Sequence, residues 1–170
     1  MKLDSNVKIK KAFYPWLGAS LLCMAAIFFF SAQSAEVSSG YSGALTRGIF
    51  LNVLGRLGVE ATVPLLEKLE VFVRKSAHVL IFLALGFCSA NAAGQAMVDK
   101  WKIFLIPMCW CAFYAATDEF HQLFVPGRAC MWQDWLIDIV GALIGVSAAM
   151  GLMGARRALK EKRHAKKCPP

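Results

Sequence analysis

The chain has 170 residues, 58% of them hydrophobic, a mean hydropathy of +0.52 and a formal net charge of +8. So apolar a composition excludes an ordinary soluble domain and points to an all-α membrane protein. Six cysteines without a CxxC pair or a disulfide-rich spacing exclude a disulfide scaffold and support no thiol catalyst.

The first element in the chain is an apolar span over residues 15–31, preceded by Lys2, Lys8, Lys10 and Lys11. The basic head, the apolar run and the small-residue stretch Ser31-Ala32-Gln33-Ser34-Ala35 resemble a cleavable secretory signal. The reading adopted is an uncleaved span, and cleavage would leave the remaining topology unchanged. Residues 36–75 follow as a long external loop with two amphipathic helices that cap the bundle or lie on the membrane. One carries Ile49, Phe50, Val53, Leu54 and Leu57, and the other Leu65, Leu66, Leu69, Phe72 and Val73 opposite Glu67, Lys68 and Glu70. Gly55, Gly58 and Pro64 separate them, with Pro64 suited to the first turn of the second.

The second span covers about residues 77–94 and the third about 101–117. A spanning helix needs about 20 mostly apolar residues. The third has only 15 uncharged residues from Ile103 to Thr117, so completing it draws Asp118 and Glu119 to the membrane boundary. The fourth span, about residues 135–154, continues a stripe formed by Asp134, Asp138, Gly141 and Gly145. Its Gly141-x3-Gly145 seam admits close approach by a neighbouring helix. Tyr14, Trp16, Trp101, Trp132 and Trp135 fall at span ends and read as interfacial anchors. Residues 155–170 form a basic tail.

With four spans, both termini and the short loop holding Asp99, Lys100 and Lys102 share a side. That side carries 13 of the 19 Lys/Arg residues and three acids, against six Lys/Arg and eight acids opposite. The positive-inside rule places both termini in the cytoplasm. The surplus charge then reads as a topology signal and an attraction to anionic lipid. The tail Arg156–Lys167 reads as a juxtamembrane anchor, with no nucleic-acid partner assigned.

This topology gathers the polar residues at the external side. Lys75 and His78 open the second span, Asp118, Glu119, His121 and Gln122 close the third, and Asp134 and Asp138 open the fourth. Pro126-Gly127 is a turn signal that folds Arg128 back towards the acids. Ionisable groups at membrane depth mark a functional site by default. Several chemistries fit the set. Arg128 with Lys75 suits a phosphate or carboxylate, and His78 or His121 with a carboxylate suits general base catalysis. Asp118 and Asp134 are candidates to orient the ligand or exchange protons, while Glu119, Gln122 and Asp138 are candidate ligand contacts. Asp138 also suits a structural partner for Arg128 or Lys75, and Glu119 points partly away, towards solvent or headgroups. No metal is assigned, since no HExxH or comparable ligand spacing occurs, although carboxylates with a histidine suit a divalent ion. A salt-bridge network that merely locks the helices is the bland alternative.

Three segments together are similar to the VanZ-like family of small membrane proteins. They are Arg74-Lys75-Ser76-Ala77-His78, then residues 118–128 (DEFHQLFVPGR), then Asp134-Trp135-Leu136-Ile137-Asp138 with Gly141 and Gly145. Phe30-Ser31-Ala32-Gln33 also resembles that family's Ser-Ser-Gln ending of the first span, which supports an uncleaved helix. The resemblance runs from about residue 15 to 150 and implies an envelope protein, one namesake being associated with resistance to the glycopeptide teicoplanin. It supplies no reaction. Many relatives carry an acid three residues after the second-span histidine, where this chain has Ile81.

The resulting expectation is a single VanZ-like domain over residues 1–170, multi-pass in the plasma membrane. It would bind or modify an anionic lipid or cell-wall precursor headgroup at the external leaflet. The alternatives are a membrane hydrolase or transferase using a His–carboxylate pair, and a purely structural or interaction protein. No cofactor and no oligomeric state are assigned.

Overall fold

A computed structural model describes residues 11–34, Arg56 and residues 62–167. These residues form four long helices: α1 (Phe13–Ser31), α2 (Val63–Ala96), α3 (Lys100–Gln122) and α4 (Trp132–Lys167). All four are long and apolar enough to cross a membrane. Large apolar side chains such as Leu22, Phe29, Leu80, Phe113 and Val140 point outward, as a lipid-facing surface requires.

The boundaries follow local chemistry. Pro64 sits in the first turn of α2, where its missing N–H costs nothing, and Leu65 and Leu66 donate backbone bonds to the Thr62 carbonyl. From there no glycine or proline interrupts the chain before Gly86, so the helix runs on continuously. The second expected amphipathic helix is therefore the outer end of α2 rather than a separate element, and the span begins inside a 34-residue helix. The first expected amphipathic helix, over Ile49 to Leu57, lies outside the described residues apart from Arg56.

Helix α3 continues through Asp118, Glu119, His121 and Gln122, giving the marginal third span 23 residues and about 34 Å of length. Helix α4 has 36 residues, and residues 156–164 near its basic end are exposed.

The most extensive contact joins α2 and α4, which run parallel because α3 returns the chain between them. Glycines make this possible. A Cβ on Gly141 would lie 2.6 Å from the Val79 carbonyl oxygen, and one on Gly145 would overlap the Leu83 carbonyl. A Cβ on Gly86 would likewise overlap the backbone of Ala142. Two apolar clusters pack along this contact, one of Ile27, Phe82, Leu85, Cys111, Ala115 and Ala142, the other of Ala90, Val146 and Ala149.

Polar links tie the remaining helices to this pair. Tyr114 Oη donates to the Met24 carbonyl at 2.6 Å, joining α3 to α1. Trp135 Nε1 donates to the Ala112 carbonyl at 3.1 Å, so this half-buried tryptophan joins α4 to α3. Trp16 likewise packs edge-on against Phe87, whereas Tyr14, Trp101 and Trp132 are exposed at helix ends.

Gly145→Val should destabilise the protein by about 1–3 kcal/mol or more, because the atoms nearest the site are backbone and cannot swing aside. Gly151→Val, with nothing within 4 Å, should stay within about 0.5 kcal/mol of the parent. Thermal melting of the purified proteins in detergent checks both.

Candidate functional site

The polar residues converge at one end of the bundle, around a cavity of about 200 Å³. Its lining includes Arg74, Lys75 and His78 from α2, Glu119 and Gln122 from α3, Arg128 from the α3–α4 loop, and Asp134 and Asp138 from α4.

Helical spacing on α2 matches that on α4. Lys75 and His78 are three apart, Asp134 and Asp138 four apart, and the glycine contact sets the two rows side by side. Lys75 Nζ pairs with Asp134 Oδ1. His78 Nδ1 faces Asp138 Oδ2 at 3.9 Å. The expected pairing of Asp138 with Arg128 or Lys75 is thus replaced, since the register gives Asp138 a histidine and sends Lys75 to Asp134.

Asp118, one of the most buried carboxylates at 4% exposure, lies at the end of α3. Its Oδ2 accepts bonds from Ser31 Oγ at 2.9 Å and Gln122 Nε2 at 3.3 Å. Ligand atoms of His78, Asp118 and Asp138 all lie within 4.8 Å of one another, each residue from a different helix.

Glu119 departs from expectation. It is buried at 4% exposure and does not face solvent or headgroups. Its Oε2 accepts the Met131 backbone N–H at 2.9 Å, pinning the loop where α4 begins. The loop folds back over the end of α3, and this return buries a side chain that helical offsets alone point away from the cluster.

Gly127 has φ 73°, the positive value that glycine adopts without strain, and Arg128 N–H bonds the Val125 carbonyl at 3.1 Å to close the turn. The turn carries Arg128 back over the helix ends, where Nη2 reaches the Phe30 carbonyl at 3.4 Å and Nε is buried without a hydrogen-bond partner. Burial pulls the Arg128 guanidinium below its ordinary pKa, and the nearby Arg74 charge pulls the same way, against Asp118, Glu119 and Asp134. Among the described residues, neither Arg74 nor Arg128 forms an ion pair.

His121 is not part of the cavity wall. Its ring stacks on Phe28 with centroids 4.8 Å apart, and it packs α3 against α1. Two residues outside the expected set belong to the site. Arg74 is four residues before His78, a spacing that places it on the same face of α2. Ser31 binds Asp118 across 87 residues of sequence, a pairing that no local spacing announces.

The family described as VanZ/LLP1 matches residues 16–154. No curated protein and no solved structure matches the chain.

Ser31→Ala should remove the Asp118 hydrogen bond and cost about 1–2 kcal/mol in a thermal or denaturant unfolding measurement. Thr117→Ala, which loses only an exposed bond to the Tyr114 carbonyl, should stay within about 0.5 kcal/mol.

Proposed function

We propose, from the premise that this chain belongs to the VanZ family of membrane proteins, that its cavity holds an anionic headgroup of a lipid or lipid-linked cell-wall precursor at the membrane boundary. The observation that carries this reading is the pair of guanidiniums at Arg74 and Arg128. Both line one cavity, neither is matched by an ion pair among the described residues, and Arg128 Nε is buried without a partner. Asp118, Glu119 and Asp134 stand near the half-buried Arg128 but leave its Nε without an acceptor. A phosphate or carboxylate between the two supplies acceptors for both forks through bidentate bonds. Lys75 contributes less to the anion than its position in the sequence indicates, because Asp134 already takes its charge.

The charge distribution along the chain supports the orientation. The cluster lies opposite the basic tail and the Lys100–Lys102 turn, and under the positive-inside rule this charge bias favours an external cluster with both termini cytoplasmic. An envelope role, including the teicoplanin resistance associated with a family namesake, fits a protein that engages headgroups there.

His78 supports a second reading. It faces Asp138 at 3.9 Å and stands near Asp118, so a small shift would let a carboxylate orient the imidazole as a general base in a membrane hydrolase or transferase. Turnover of a labelled lipid-linked precursor, lost in His78→Ala, distinguishes this reading from binding alone.

Native mass spectrometry of protein extracted from membranes tests the binding reading. The parent should retain a phosphate-bearing lipid, Arg128→Ala should lose at least about tenfold in occupancy, equivalent to one charge-assisted contact, and Arg128→Lys should recover part of it. A loss of folded protein in Arg128→Ala with unchanged lipid occupancy would instead support a structural lock.

A further inference from the structure

We propose that His78, Asp118 and Asp138 form a site for one divalent transition-metal ion of the zinc or manganese class, beside the two guanidiniums. The three side chains come from α2, α3 and α4, and each offers one ligand atom within 4.8 Å of the others. Asp118 and Asp138 are 4% and 2% exposed, so this is not a cluster of solvated surface acids.

The second observation is independent of the clustering. Asp138 Oδ2 is buried and has no hydrogen-bond partner, although it points at His78 Nδ1. A buried carboxylate oxygen left in that state is costly. The 3.9 Å gap to Nδ1 is too long for a hydrogen bond. Two ligands about 2.1 Å from a shared zinc, at a tetrahedral angle, stand about 3.4 Å apart. Closing the gap by a few tenths of an ångström therefore lets both atoms hold one ion.

The donor set points to the class of ion. One imidazole with two carboxylates suits zinc or manganese, whereas copper(I) favours thiolates and calcium needs more oxygens. Three protein ligands leave at least one coordination position open, and His78 and Asp138 also line the cavity. Ser31 Oγ and Gln122 Nε2 both bind Asp118 Oδ2, which orients this carboxylate as outer partners orient metal ligands.

The charge balance links the ion to the anion. With histidine neutral, the four carboxylates Asp118, Glu119, Asp134 and Asp138 outnumber the three cations Arg74, Lys75 and Arg128. A divalent ion reverses that sign and makes the cavity attractive to a phosphate. This last link rests on the proposed headgroup binding, but the ion site itself does not.

The test uses full-length protein in detergent micelles, stripped with a chelator and titrated with Co²⁺ by visible absorption and with Zn²⁺ and Mn²⁺ by calorimetry. Saturation at one equivalent per chain is expected. Asp138→Asn and His78→Ala should each weaken the ion by at least about 100-fold, and Ser31→Ala by about tenfold. Arg128→Ala should keep the ion while losing the lipid, so the two readings fail separately. The absence of saturable binding by all three ions, or affinity unchanged in both Asp138→Asn and His78→Ala, overturns the site. If those variants do not fold, the parent's Co²⁺ spectrum decides. Ligand-field bands saturating at one equivalent support the site, and a spectrum identical to aqueous Co²⁺ overturns it.

Discussion

The backbone contact between α2 and α4 is the constraint on which the other features of this molecule depend. Within lipid, apolar burial does not drive helices together, so association rests on close packing and polar links. Gly86, Gly141 and Gly145 remove the side chains that would hold the two helices apart. Once the backbones meet, the register is set for every residue along both helices. Lys75 then falls beside Asp134 and His78 opposite Asp138. The same contact that stabilises the bundle builds two walls of the cavity.

The other two helices complete the site through single polar groups. α3 brings Asp118 and Glu119 to the end of the bundle, and α1 brings Ser31 and the Phe30 carbonyl. Three of the four acids are held by a named partner: Asp134 by Lys75, Asp118 by Ser31 and Gln122, and Glu119 by the Met131 N–H. Asp138 faces His78 across a gap wider than a hydrogen bond. What remains is an Arg128 Nε without an acceptor, an Arg74 without an ion pair among the described residues, and one under-coordinated carboxylate. This residue of unspent electrostatics distinguishes the cluster from a network that only locks helices.

The four spans and the polar end were legible in the sequence because both rest on patterns of the right length: apolar runs for the helices, charges at their ends for the site. The Gly141-x3-Gly145 seam was legible for the same reason, and the helices meet along it. The start of α2 was not, because an amphipathic outer turn and an apolar span have different compositions but share one uninterrupted helix. The fate of Glu119 depended on the return of the α3–α4 loop, which helical offsets do not contain. The pairing of Asp138 with His78 depended on the α2–α4 register, and that of Ser31 with Asp118 on where α1 packs. Arg74 could have been found from its four-residue spacing to His78.

One α2–α4 register builds two walls of the cavity, and the proposed orientation opens that cavity to the external side. The most direct measurement places cysteines at Lys75 and Asp134 in a Cys130→Ser background and treats intact cells with a membrane-impermeant, bifunctional thiol reagent. A single reagent bridging both positions within one chain, read by mass spectrometry, is expected. Bridging only after permeabilisation would reverse the orientation, and two separately attached reagents would contradict the register.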